Sequence, residues 1–457
     1  MRTTIKLFAI MAATGLTLGA AACGDDEDDD GAGGTGGSAG TGGSAGTGGS
    51  AGTGGDSSSP ACDLSAGSKA VEILPTRPGT RTLTSDKVWQ IKGQTYIGNG
   101  EVLTIDPCTR IEGLPEDTTL GASVLVIQRG GQIRAEGEAD RPILFTSWNR
   151  NPGDRQPGDW GGVILLGRAP SNAGTNVSIE GLAPGEENQF GGNAPDDNSG
   201  VMKYVRIEYP GVVIGQGNEV NGLTMGGVGS GTEIHHIMVS NTLDDCFEWF
   251  GGRVAAHHLV ANSCGDDMFD ADQGYQAEWH TLFGRQVNVD SDDPNGYEID
   301  NNNGNPDLEP VTTVTASKVT LCGAGEGAVT VSVNGMVLRR GMKGTLSDHV
   351  VTGFNSAVSL RDPFGTAAAP RVTLTGSAFF GNFASNIGTA HSSNSFDPVP
   401  WFEFAGRNNT VPAPAPFTVD QCKEAAGPAA AVTGSASGAF KDEANWAQGL
   451  WINWETE

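Results

Sequence analysis

His236-Ile-Met-Val-Ser-Asn-Thr-Leu-Asp-Asp-Cys-Phe-Glu248 and His258-Leu-Val-Ala-Asn-Ser-Cys-Gly-Asp-Asp-Met-Phe-Asp270 superpose at an offset of 22 residues. The offset matches His236 with His258, Asp244-Asp245 with Asp266-Asp267, Phe247 with Phe269 and Gly252 with Gly274. A third copy with an insertion reads Asp292-Asp293-Pro-Asn-Gly-Tyr297-Glu298, and Met336, Leu338, Val358 and Leu360 repeat the step further on. A period in the low twenties, with short β-branched runs, turn residues and almost no helical periodicity, fits one coil of a parallel β-helix. Each coil cannot bury its apolar face alone, so neighbours must stack about 4.8 Å apart, and aligned residues then form ladders.

Outward from that repeat the pattern holds. Val124-Leu125-Val126-Ile127, Ile143-Leu144-Phe145-Thr146, Val163-Ile164-Leu165-Leu166 and Val372-Thr373-Leu374 are too short for helices. They recur too often for an α/β fold. The stretch near Gln421–Ala426 is the best helical exception. Three segments result: a leader over 1–22, a tether over 23–60 and an all-β, single-stranded parallel β-helix over 61–457.

The leader has Arg2 and Lys6 before an apolar run from Leu7 to Leu18, too short to span a bilayer as a permanent helix. Ala20-Ala21-Ala22-Cys23 resembles a lipobox, which implies a diacylglyceryl group on the Cys23 thiol and cleavage in front of it. Ala20 stands where that pattern usually has Leu. Asp25–Asp30 form an acidic run, followed by a Gly-rich stretch repeating Thr-Gly-Gly-Ser-Ala-Gly. Such a segment cannot bury apolar area, and it behaves as a flexible coil of roughly 30 Å root-mean-square span. The expected location is the outer membrane or cell surface, held to the membrane by lipid.

The chain carries 27 Lys+Arg against 54 Asp+Glu, a formal charge of −27. That repels nucleic acid and anionic headgroups, and it suits cations or neutral polymers. After Cys23 six cysteines remain: Cys62, Cys108, Cys246, Cys264, Cys322 and Cys422. An even number in an exported chain points to disulfides. Neighbours in sequence tend to lie on adjacent coils, which favours Cys62–Cys108, Cys246–Cys264 and Cys322–Cys422.

Gly100–Ile111, Gly158–Gly167, Asp244–Gly252 and the closing Asn445–Trp454 carry a family resemblance. The exported part resembles right-handed parallel β-helix proteins of the pectate-lyase-like superfamily, and within it bacterial β-helix lipoproteins. The resemblance implies the fold over nearly all the chain after the tether and brings no established activity. Paired Asp at a β-helix turn also resembles the centre of polygalacturonases, but their Gly-His-Gly and Arg-Ile-Lys motifs are missing.

The repeat generates an acidic ladder: Asp244, Asp266 and Asp292 in one column, Asp245, Asp267 and Asp293 in the next, then Glu248, Asp270 and Glu298, and finally Asp272 with Asp300. Like charges at this spacing repel by about 1 kcal/mol per pair even in water. Calcium is the natural compensating ion, since it takes oxygen ligands from carboxylates and carbonyls. The competing reading is a turn stack capped by backbone N–H groups, with Asp and Asn chosen for turn conformation. Stacked carboxyls also meet the spacing glycoside hydrolases use, and a lyase would need a base, for which Arg253, His280 and Arg285 are near in sequence. His235-His236 and His257-His258, without an interleaved third ligand, read as a strand-end ladder rather than a zinc site. Phe247, Phe269 and Tyr297 read as interior stacking, Trp249, Phe250 and Trp279 as core, and Asn445–Trp454 as a cap on an open sheet edge. The function that follows is binding of an extracellular ligand, a glycan, with structural calcium. A carbohydrate-active enzyme and a structural or adhesive rod are the alternatives.

Overall fold

The computed structural model describes residues 62–455 apart from 216–217, 288–293, 329–332, 362 and 394–395. The leader, Cys23 and the tether lie outside the described residues, as do Asp292 and Asp293. The described residues form one compact unit.

The strands build two long parallel sheets. The first runs through Gly200–Glu208, Glu233–Ser240, Ala256–Asn262, Gln276–Arg285, Thr313–Cys322 and Lys343–Thr352. The second runs through Gln94–Ile97, Val124–Ile127, Gly162–Leu166, Leu223–Gly226, Phe247–Phe250, Phe269–Asp272, Tyr297–Ile299, Asn334–Leu338 and Ser356–Leu360. This is the parallel β-helix that the 22-residue step implies. The register pairs Phe247 with Phe269 and Phe269 with Tyr297, so the expected aromatic column is real and wholly buried. Trp249 and Trp279 also lie in the interior, and Phe250 is buried on the other face of its strand against Phe190. Met336 pairs with Val358 as the repeat requires.

Strands of the first sheet carry a left-handed residue at one recurring position: Tyr204, His236, His258, Thr281, Lys318 and Asp348 all have positive φ. The ladder steps over them, pairing His235 with His257 and Ile237 with Leu259. Such a bulge breaks the alternation of a strand, so two consecutive side chains point outward between two buried ones. Ile234 and Ile237 are buried, and His235 and His236 between them face out.

The outer face of the first sheet is apolar at Met238, Val260, Phe283 and Val350, and the C-terminal segment covers it with Phe417, Phe440, Trp446 and Trp451. The Trp-rich terminus therefore lies across a sheet face rather than capping an edge, because these outward side chains require cover. Helix Val419–Cys422 begins in that segment with a capping box from Thr418 and Gln421. The cysteines pair as Cys62–Cys108, Cys246–Cys264 and Cys322–Cys422, and the last bond ties the segment to the first sheet.

Candidate functional site

On the outer face of the second sheet, an insertion packs Ile179, Leu182 and Phe190 over Val124, Val126, Ile164 and Leu166. The next coils present Glu248, Asp270 and Glu298 there instead, aligned rung on rung. Asp272 and Asp300 extend the acidic face, with Asp272 paired to Phe250 in register. The turn entering each strand adds Asp244, Asp245, Asp266 and Asp267. From outside the repeat come Glu180, within the insertion, and Glu219, on the hairpin strand Asn218–Val220. The result is a pocket of about 580 Å³ lined, among the described residues, by these eleven carboxylates and by two cationic side chains, Arg339 and Arg340.

One column departs from the sequence expectation. Asp245 N–H donates to Asn221 Oδ1, Asp267 N–H to Asp245 Oδ1, Asn295 N–H to Asp267 Oδ1 and Asn334 N–H to Asn295 Oδ1. Asn295, not Asp293, thus continues the Asp245–Asp267 column, because the Tyr297-Glu298 pairing fixes the register two residues later than the Asp-Asp match suggested. Backbone N–H capping of the stack is therefore present, and two of these four rungs engage a carboxylate oxygen, of Asp245 and Asp267, while the other two engage the amide oxygens of Asn221 and Asn295.

Burial and mutual repulsion push eight of these carboxyls up. Glu180 rises to about 7 through burial and the neighbouring Glu219, and Asp244 to about 8 through burial, then Asp266. Asp245, Glu248, Asp267, Asp270 and Asp272 all lie well above the usual carboxylate range, burial being the first cause. At the far end Arg339 pairs with Glu298 and, at 3.1 Å, with Asp300, while Arg340 meets Asp300 at 2.6 Å. Among the described residues lining the pocket, no cation compensates the other end. Asn221 hydrogen-bonds Glu248, yet Asp270 Oδ1 and Asp272 Oδ1 are buried without a hydrogen-bond partner, the situation that costs most in a protein interior.

Oxygens of three sets lie within 4.8 Å of one another: Asp244–Asp245–Asp266, Asp245–Glu248–Asp270 and Asp267–Asp270–Glu298. Oxygens around one calcium ion, bound at about 2.3–2.6 Å, lie up to about 5 Å from one another, which is the separation these sets show. The sets share Asp245 and Asp270, so the donors fit a chain of adjoining hard-cation positions.

The other candidates fall elsewhere. Arg253 is exposed and donates to Gln276. Arg285 is buried under the C-terminal segment, donating to Asn262 Oδ1 and to the carbonyls of Cys422, Glu424 and Trp454. His280 stacks on His257. None of the three lines the acidic pocket. Among the described residues lining it the one aromatic is buried Phe250.

The fold and the site define a parallel β-helix protein with an acidic pocket on one sheet face. The chain belongs to the family described as the pectate-lyase like beta helix domain, whose model matches residues 76–452. No curated protein and no solved structure matches it. The family is compatible with carbohydrate binding or with a carbohydrate-active enzyme.

Proposed function

We propose that this is an exported protein, lipid-anchored through Cys23 at the outer membrane or cell surface, whose β-helix binds an extracellular glycan through calcium held in the acidic pocket. The observation that carries the reading is the convergence of eleven carboxylates on one open cavity with two guanidiniums at one end only. Calcium would be held by Asp244, Asp245, Asp266, Asp267, Asp270 and Glu298, with Asp272 and Asp300 beside them. Calcium takes 6–8 oxygens, so an ion at a solvent-facing site keeps positions for the hydroxyls or carboxylates of a sugar. The chain's own residues supply the charge that gathers the ion and the rigid coils that fix its ligands.

Titration calorimetry of the mature chain, stripped with EGTA, tests the calcium step. Heat of binding and a raised melting temperature are expected, and an unchanged midpoint in excess calcium overturns it. Glycan-array binding with and without calcium tests the ligand, and binding to no polysaccharide, or binding unaffected by EGTA, rejects it. Cys23→Ala should release the protein from membranes and abolish fatty-acid labelling; retention of either label or anchorage refutes the anchor.

A second reading rests on Arg339 and Arg340, which converge with carboxyl pairs in the same pocket. Carboxyls with raised pKa are suited to donate protons, and a nearby cationic group is what a carbohydrate-active enzyme would add. Incubation with uronate and neutral polysaccharides should then yield unsaturated products or reducing ends that Arg340→Ala abolishes; neither product from any polymer removes this reading.

A further inference from the structure

Five of the chain's seven histidines gather at one place on the first sheet, away from the acidic pocket. The left-handed bulge at His236 and His258 turns both members of each His-His pair outward. Parallel stacking then lays His257 on His235 at 4.8 Å between ring centroids, His258 on His236 at 4.4 Å and His280 on His257 at 4.6 Å. Ligand atoms of His235, His236 and His257 lie within 4.8 Å of one another, as do those of His257, His258 and His280. The third ligand that the His-His dipeptides seemed to lack is thus supplied by the adjacent coil.

We propose that this imidazole cluster is a site for one borderline first-row divalent ion, of the zinc, copper or nickel class, held by His257 with either His235 and His236 or His258 and His280. Three features support it. Carboxylates sit on the outward nitrogens: Glu233 on His235 Nε2 and Glu443 on His258 Nε2, both at 2.9 Å. A carboxylate accepting from Nε2–H fixes the tautomer and leaves the Nδ1 lone pair free for a metal, the usual outer arrangement of metal-binding histidines. Second, the Nδ1 atoms face each other, at 2.7 Å between His235 and His236 and 2.6 Å between His257 and His258. A small ion can take the place of the shared proton, which moves to the outward nitrogen of its ring. Third, burial and neighbouring imidazoles hold His236 at about 2 and His257 at about 3, so both are neutral and ligand-ready at ordinary pH. Trp451 over His236 and Trp446 over His258 roof the cluster and restrict water.

Nitrogen donors set this site apart from the oxygen-lined pocket, because imidazole selects later first-row ions and carboxylate selects calcium. Both triads share His257, so one ion per chain is expected. The test uses the mature protein with saturating calcium present and copper(II) as the probe, read by electron paramagnetic resonance and metal analysis. Nitrogen hyperfine structure and one copper per chain are expected, with His257→Ala weakening binding at least tenfold and His391→Ala leaving it unchanged. Oxygen-only ligation, two or more tight ions, or full-affinity binding by His257→Ala overturns the proposal. If His257→Ala does not fold, the wild-type spectrum alone decides. The calcium reading can fail without touching this one, since nitrogen hyperfine does not depend on calcium.

Discussion

The backbone N–H of Asp267 donates to Asp245 Oδ1 at 2.7 Å, one coil away. One oxygen of Asp245 therefore serves the coil stack while its charge serves the pocket, and substitution can separate the two roles. Asp245→Asn keeps an acceptor for the Asp267 N–H, as Asn221 and Asn295 already do in the same column. It removes a charge whose ionisation burial and Asp267 both oppose. The variant should melt higher than wild type in EGTA and lose most of its calcium-induced shift. Asp245→Ala should also lose the rung and fall below Asp245→Asn by about 1–3 kcal/mol in chemical denaturation. Equal stability of the two variants would contradict the rung.

The raised carboxyls make the metal-free protein sensitive to alkali. Glu180 at about 7 and Asp244 at about 8 bind protons more tightly folded than unfolded, where their ordinary values are 4.5 and 3.8. Their contribution is full below those ordinary values and is lost as pH rises through 7 to 8. Calorimetric melting in EGTA should therefore drop between about pH 6 and pH 9. Excess calcium, which takes the ionised carboxylates, should flatten or reverse the slope. A chelated protein equally stable at both ends would refute the burial of these groups.

Much of this was legible in the chain. The 22-residue step gave the coil, and it placed Glu248 against Asp270 and Phe247 against Phe269 as the ladder has them. Asp270 against Glu298 was also legible, because Tyr297-Glu298 repeats Phe269-Asp270. Reading failed where coil length changes. Tyr297 pairs with Met336, 39 residues on, so the 22-residue step matches the coil of Arg339 and Arg340 to the next one at Val358 and Leu360 but does not stack it on the acidic coils. Glu180 and Glu219 arrive from an insertion and a hairpin with no counterpart in other coils. The bulge that turns consecutive histidines outward is a backbone conformation at non-glycine residues, which composition does not signal.

Arg339 offers the converse of Asp245. It pairs with both Glu298 and Asp300, whereas Arg340 pairs with Asp300. Arg339→Ala should leave two partly buried carboxylates under-compensated. Loss of a buried partner costs about 3–5 kcal/mol, and partial exposure here reduces that to about 1–3 kcal/mol in metal-free protein. The same variant adds net negative charge to the cavity, so calcium should bind more tightly and recover most of the lost stability. Urea denaturation with and without calcium separates the effects; a loss that calcium does not repair would place Arg339 outside the ion's field.

Arg285 joins the first sheet to the C-terminal segment. It is fully buried, and burial lowers it to about 10, which still leaves it charged at neutral pH. Its planar fork reaches Asn262 Oδ1 and the carbonyls of Cys422, Glu424 and Trp454 at once, and its guanidinium lies over the Trp454 ring. A lysine carries the same charge but concentrates three donors at one point, so it cannot serve acceptors spread over that span. Arg285→Lys should leave buried carbonyls unpaired and destabilise the segment by about 2–4 kcal/mol. The β-helix itself, whose coils pair with one another, should be spared. Limited proteolysis should then cut the variant within the segment sooner than wild type. The Cys322–Cys422 bond holds part of the cleaved tail, so that fragment should leave only after reduction. Equal cleavage rates in the two proteins would show that the apolar face alone, without the guanidinium clamp, retains the segment.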